Sequence, residues 1–413
     1  MKKTVFASTI LLLYSSIFCT AAPVIRGSVN RSDGIFRCNE EIIFTLTPVD
    51  APPGAVMNYV VSKYGKAVRK NTAPADKPLT VSVKLEKPGH ACVTATLAGI
   101  DGKPVKAGGA CGVGAIVEPE KLQPGSQEPA DFDAFWQSRK DLLKKHPMKL
   151  LEKKEVPAGK NFKAYDIKVS CPGNAPVSGY LTLPENAAKK SLPLKVTYHA
   201  FGVYSAGIKR DNGAVCFDVN AHGIPNGRPK TYYREMAQKL GWYPAKGKED
   251  REKTYFHDMY LRIMRALEFA KTVPEWNGKV LIVSGGSQGA GQAIAAAALD
   301  PDVSGCVAYV PALTDHAGHL QGRKPGWPGL FRDDARETGL YYDGVFFARR
   351  IRCSVILTAG YIDNIVAPTS VWVVYNNLVN TDKKMIFGLP TTGHSVGGPP
   401  ALHKAVRMLE KGE

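Results

Sequence analysis

The sequence predicts two units in series: a small all-β sandwich, then a larger α/β domain with a mainly parallel sheet covered by helices on both faces. Three observations carry this expectation. Residues 22–118 hold only short alternating strands. From residue 119 apolar strands alternate with helices. At 413 residues, with 44% hydrophobic and 22% charged side chains, the chain has a globular composition and is too long for one ordinary domain.

In the first unit Ile42, Phe44 and Leu46 alternate with polar or outward positions. So do Leu79, Val81, Val83 and Leu85, and Ala91, Val93, Ala95 and Leu97. Asp33-Gly34, Pro52-Pro53-Gly54, Pro88-Gly89 and Asp101-Gly102 mark the turns between them. No helical period appears, so the stretch reads as an immunoglobulin-like sandwich of ~100 residues. No binding site is visible in it, and it reads as a structural appendage.

In the second unit residues 131–145 (DFDAFWQSRKDLLKK) read as a helix and residues 192–198 as a strand. Residues 254–272 place Phe256, Met259, Ile263, Leu267 and Ala270 on one helical face. Short apolar strands follow at 279–283, 305–310, 353–359 and 385–389. Strands that are apolar throughout are covered on both sides, as in a parallel sheet layered with helices.

The chain opens MKKTVFASTILLLYSSIFCTAAP, with Lys2 and Lys3, an apolar run too short to span a membrane, and then small residues. This predicts a signal peptide over residues 1–21, cut after Ala21, and an exported protein, periplasmic or extracellular, with no membrane insertion. Net charge is +17, falling to about +15 without the two leader lysines. The basic residues are scattered and not interleaved with aromatics, which argues against a nucleic-acid partner.

Residues 280–298 read VLIVSGGSQGAGQAIAAAA, so Gly285-Gly286-Ser287-Gln288-Gly289 is a G-x-S-x-G set between a strand and a helix. The glycines suit a sharp turn that lifts the serine above the sheet, at a helix N-terminus whose free N–H groups favour an oxyanion. This is the nucleophile elbow of the α/β-hydrolase fold, and it makes Ser287 the candidate nucleophile. A serine hydroxyl needs a base, and the base needs an orienting acid, in the order Ser, Asp or Glu, His along such chains. Asp363 follows the strand in CSVILTAGYID, and His394 lies in the glycine-rich LPTTGHSVGG after the last strand. His316 and His319 precede Asp363 and so fall outside that order. His403 reads as a surface residue of the last helix, and Asp382 as a solvated turn beside two lysines. For the oxyanion hole, Gln288 supplies the backbone N–H after the nucleophile, and Phe201, after the strand ending at Tyr198, supplies the second.

These segments resemble carbohydrate esterase family seven, the acetyl xylan esterase and cephalosporin C deacetylase group. The pentapeptide GGSQG and the run YYDGVFFARRIRCSVILTAGYIDNIVAPTSVWVVYNNL carry the resemblance, with DFDAFW, VSGYLTLPE and GHSVGG in support. It covers residues 120–413 and leaves out the sandwich. It implies a Ser287–His394–Asp363 triad, Phe201 and Gln288 as oxyanion donors, and removal of acetyl groups from xylan-derived or related oligosaccharides. The family usually has His-Gly-Tyr where this chain has His199-Ala200-Phe201, a change that keeps the backbone donor and loses a tyrosine hydroxyl near the acyl pocket. Where the family tends to have Asp-Val-Arg-Gly-Gln-Gly, this chain has Asp218-Val219-Asn220-Ala221-His222-Gly223.

Rival readings are an exported serine peptidase, a feruloyl-type esterase on the same fold, and an inactive carbohydrate-binding protein supported by the sandwich. No CxxC or HxxxH spacing points to a metal, and no cofactor is expected; homo-oligomer formation stays open. Without Cys19 the cysteines are Cys38, Cys92, Cys111, Cys171, Cys216, Cys306 and Cys353. Cys306 and Cys353 read as core residues of buried strands. A two-residue turn at Asp101-Gly102 would set Cys92 opposite Cys111 and Pro104 opposite Gly99, within reach of a Cys92–Cys111 disulfide.

Overall fold

The computed structural model describes residues 22–105 and 111–412; the expected leader, residues 1–21, lies outside the described residues. The N-terminal unit carries β1 (Val24–Val29), β2 (Ile35–Phe36), β3 (Ile42–Val49), β4 (Val56–Lys63), β5 (Lys66–Pro74), β6 (Leu79–Val83), β7 (Gly89–Ala98) and β8 (Gly112–Val117). They form two sheets, in the orders β1-β3-β6 and β2-β8-β7-β4-β5. The alternation in the sequence is the alternation of burial: Ile42, Phe44 and Leu46 of β3, Val81 and Val83 of β6, and Val93 and Leu97 of β7 share one core. Strand β5 lies at a sheet edge and is exposed almost throughout, and its Lys66, Arg69 and Lys70 discourage pairing with another chain.

The turn after β7 differs from the sequence expectation. Gly102 N–H bonds to Gly99 O and Gly99 N–H to Lys103 O, both at 2.9 Å, and Gly102 has φ 74°. Three residues therefore form the loop, closed by a glycine in the left-handed region, and Pro104 faces Ala98 rather than Gly99. Nearer the middle of β7 the register shifts again, so that Cys92 faces Gly114, while Ala95 N–H bonds to Cys111 O. The two cysteines are not opposite one another, and Cys92 is a free thiol. The expected disulfide is not formed.

The second unit begins with α1 (Phe132–Lys145) and continues through β9 (Leu150–Val156), β10 (Phe162–Val169), β11 (Val177–Pro184), β12 (Leu192–Tyr198) and β13 (Val215–Val219). Next come α2 (Lys230–Leu240), α3 (Tyr255–Ala270), β14 (Trp276–Gly286), α4 (Gln288–Leu299) and β15 (Gly305–Tyr309). Last are α5 (Arg336–Tyr341), α6 (Gly344–Ala348), β16 (Ser354–Gly360), α7 (Pro368–Asn376), β17 (Lys384–Leu389) and α8 (Pro400–Glu410). The sheet order is β17-β16-β15-β14-β12-β13-β11-β10-β9. Strands β12 to β17 pair in parallel, whereas β9, β10 and β11 add an antiparallel flank.

Both faces of the parallel part are covered. Val283, Cys306, Ala308, Leu357 and Ala359 pack into the large core with α3, α4, α6 and α7. Ile282, Val307 and Ile356 pack on the other face against Leu402 and Leu409 of α8. This explains why β14, β15 and β16 read as apolar runs. Cys306 sits in that core, whereas Cys353 is half-buried just ahead of β16 rather than inside it. Between β13 and β14 the chain crosses over β12, so the carboxyl ends of β12 and β14 flank a topological switch point, where such sheets open a crevice.

Candidate active site

Each expected site residue lies past the carboxyl end of a parallel strand: Phe201 after β12, Ser287 and Gln288 after β14, Asp363 after β16 and His394 after β17. Strand interiors are sealed by helices, so this end is where side chains of different strands can meet in the open.

Ser287 sits between β14 and α4 with φ 55° and ψ −120°, a conformation that costs about 1–3 kcal/mol for a residue with a side chain. The surroundings hold it there. Its N–H bonds to Tyr309 O at 2.9 Å, and its carbonyl accepts from Ala290 and Ala312, each at 3.0 Å. A β-carbon on Gly285 would collide with the backbone of Gly289, and one on Gly289 with the carbonyl of Tyr198. The two flanking glycines thus let α4 pass close to β12 and β14, which the alanine-rich sequence of α4 also favours. Ser287 is 8% exposed.

Asp363 is buried and accepts three hydrogen bonds. Its Oδ1 takes the backbone N–H groups of Ile365 and Val366 at 2.8 and 2.9 Å, and its Oδ2 lies 2.8 Å from His394 Nδ1. Where the carboxylate is ionised it only accepts, so Nδ1 carries the proton, and in the neutral ring that leaves the lone pair on Nε2. The ring stays partly exposed (24%) over a carboxylate that is almost wholly covered (1%). The loops that carry Asp363 and His394 are tied together by Tyr361 N–H to Leu389 O at 2.9 Å and Ile362 N–H to Thr392 O at 3.1 Å. A β-carbon on Gly286, beside Ser287, would collide with Val396, two residues past His394, so the His394 loop lies over the Ser287 turn.

The remaining wall is the loop after β12. Gln288 opens α4, where the first N–H groups have no carbonyl in a preceding turn. Gln292 of α4 donates to His199 O at 2.9 Å, fastening the loop that carries Phe201. His222 Nε2 lies 2.9 Å from Gly202 O and its Nδ1 lies 2.7 Å from the Tyr255 hydroxyl. A carbonyl only accepts, so Nε2 holds the proton and the tyrosine donates to Nδ1. Burial pushes the His222 pKa down to about 4, which keeps the ring in that neutral form. His222 stands where the resemblance showed a departure, and it buttresses the loop that carries Phe201.

The Phe201 ring is 42% exposed, stacks on Tyr243 at 5.3 Å and meets Trp242 and Trp327 edge-on at 5.2 Å. The Tyr243 hydroxyl donates to Gln288 Oε1 at 2.7 Å, so a tyrosine from a different loop reaches the start of α4 beside Ser287. Sequence reasoning missed Trp242, Tyr243, Trp327 and His222 as neighbours of the site. They come from three separate loops with no spacing rule to join them. His316 is buried against Phe331, 4.6 Å between rings, and His403 and Asp382 are exposed. Among the described residues no group of three or more His, Cys, Asp or Glu is placed to hold a metal ion. Among them, too, no helix is long and apolar enough to cross a membrane.

The family model for acetyl xylan esterases matches residues 116–323 and 332–410, more than half of the chain. The acetyl esterase Axe7A of Xylanibacter ruminicola is 30% identical over 375 residues, spanning 84% of this chain and 78% of that protein. That share of the chain is more than residues 116–410 supply, so the similarity reaches into the sandwich. Among solved structures, an acetyl xylan esterase from Paenibacillus sp. R4 superposes with a TM-score of 0.59 at 22% identity, covering 71% of this chain and 98% of that one. Acetyl xylan esterase 1 from Thermoanaerobacterium sp. JW/SL YS485 gives 0.57 at 20% identity, with the same coverage. These two likenesses establish the α/β-hydrolase fold.

Proposed function

The chain belongs to the acetyl xylan esterase family, and on that premise we propose that it cleaves acetyl esters of xylan-derived oligosaccharides with Ser287 as nucleophile, His394 as base and Asp363 as its orienter. It is a carboxylic ester hydrolase, and the peptidase, feruloyl-esterase and inactive-binder readings are not favoured. The observation that carries the assignment of roles is the 2.8 Å bond from His394 Nδ1 to Asp363 Oδ2, in loops that lie over the strained Ser287 turn.

In this reading Ser287 Oγ attacks the acetyl carbonyl while His394 Nε2 takes its proton. The negative oxygen of the tetrahedral intermediate accepts from the backbone N–H groups of Gln288 and Phe201. His394 returns the proton to the departing sugar oxygen, and water then repeats the sequence to release acetate and free Ser287. Asp363 stays ionised and stabilises the imidazolium that forms in each half.

The leader supports export: Lys2 and Lys3 precede an apolar run and the small residues before Ala22. N-terminal sequencing of the protein from its producing cell is expected to begin at Ala22; an intact Met1 there would refute cleavage. The substrate reading is tested by acetate release from acetylated xylo-oligosaccharides, run beside feruloyl esters and chromogenic peptides. Acetylated xylo-oligosaccharides are expected to turn over fastest, and preferential cleavage of the peptides would overturn the reading.

A further inference from the structure

The sequence gives the sandwich no task, yet the sandwich lies against the two loops that carry Asp363 and His394. His90 of β7 is buried, and its Nε2 lies 2.6 Å from the carbonyl oxygen of Tyr361, two residues before Asp363. A carbonyl only accepts, so this nitrogen carries the proton. Burial lowers the His90 pKa to about 4, and the ring is a neutral donor throughout the neutral pH range. On the next strand Gly114 donates its N–H to Pro390 O at 2.8 Å, four residues before His394.

The approach is as close as backbone allows. A β-carbon on Gly114 would collide with the Tyr361 carbonyl, and one on Gly34 would come within 3.0 Å of Pro390 and 3.1 Å of the Tyr361 ring. Beside these contacts the seam holds a cavity of about 160 Å³ lined by His90, Cys92, Lys324 and Asp363 among others. Where such space remains, support for the acid loop comes from discrete hydrogen bonds rather than dense packing.

We propose that the sandwich is a brace for the catalytic pair, and that His90 is a positioning residue acting through the Tyr361 carbonyl to hold Asp363 against His394. The proposal rests on the reading of Asp363 and His394 as orienter and base. It assigns the sandwich a part in turnover rather than in grasping the polysaccharide. An acid and base held by two loops must be kept within a fraction of an ångström of the productive geometry, and slack there slows chemistry while leaving substrate affinity alone.

The test uses the full chain and an aryl acetate, with active sites counted by a serine-directed phosphonate. His90→Leu is expected to lower kcat about tenfold with KM within about twofold of the original. His90→Gln, whose amide N–H can still reach the Tyr361 carbonyl, is expected to recover most of kcat. Should the leucine variant fail to fold, His90→Asn, polar but too short to make the bond, is expected to show the same kcat loss. An unchanged kcat in a folded His90→Leu or His90→Asn, or a loss that His90→Gln does not repair, would overturn the brace. Asp363→Ala is run alongside. If it keeps full turnover, the triad reading itself has failed; if it is inactive while His90→Leu is unimpaired, only the brace has.

Discussion

The two β regions bury their side chains in different ways, and the difference locates the chemistry. In the sandwich β3 and β6 turn alternate residues inward, as Ile42, Phe44 and Leu46 do, and leave the other face to solvent or to a neighbour. In the parallel sheet β13 is buried at every position and β16 at all but its first, so nothing along those two strands is free to react. Side chains of different strands come together at the strand ends. Four of them bring Phe201, Ser287, Asp363 and His394 to one side of the sheet. The outward faces of β7 and β8 in the sandwich instead meet the loops that carry Asp363 and His394.

If the sandwich serves the site, disturbing its core must be felt in catalysis. Phe44 is fully buried in the sandwich core, apart from the cluster that holds the hydrolase together. Phe44→Ala is expected to cost about 3–5 kcal/mol. Calorimetry with parallel activity measurement should show esterase activity falling along with the sandwich's transition. Activity that survives that transition intact would mark the two regions as functionally separate.

A smaller effect is expected at Phe201, read as the wall of the acyl pocket. Phe201→Ala opens the wall between Trp242, Tyr243 and Trp327, and should narrow the preference for acetyl over butyryl esters by about 1–3 kcal/mol per methylene. Equal rates on acetyl and octanoyl esters in the unmodified protein would refute an acetyl-sized pocket.

The smallest effect concerns pH. His222 has its pKa lowered from 6.5 to about 4 by burial, so the unfolded chain binds the proton more readily than the folded one. Its contribution to stability is complete above pH 6.5 and is lost as pH falls from there toward 4. His222→Gln, which keeps a donor for Gly202 O, should flatten the decline in Tm across that window by a few degrees, on the order expected for ~3 kcal/mol in a chain of this size. An unaltered slope would mean that His222 titrates normally.

Legibility followed the same division. The strands of the sandwich and of the parallel sheet could be read because period two and continuous apolar runs are local patterns, and Ser287 because its glycines answer a local steric demand. Asp363 and His394 followed from chain order and from their places after strands. The register of β8 did not follow: it depends on a three-residue loop closed by Gly102 and on a further shift beyond Pro104, and each changes every facing pair downstream. The antiparallel flank β9–β11 escaped notice because its strands lack the apolar runs of the centre; β9 is mostly exposed. Trp242, Tyr243, His222 and His90 gain their roles only from loops and strands far apart in sequence, and no spacing announces them.

The most direct test of the account is to catch the acyl group in transit. Enzyme mixed with an aryl acetate, quenched in acid within the first turnovers and digested, should yield one acetylated peptide, the one containing Ser287. Ser287→Ala should give no such peptide and lower turnover by at least about a thousandfold with its melting temperature unchanged. Acetate release without acetylation of Ser287, or a Ser287→Ala variant that turns over like the original, would contradict it.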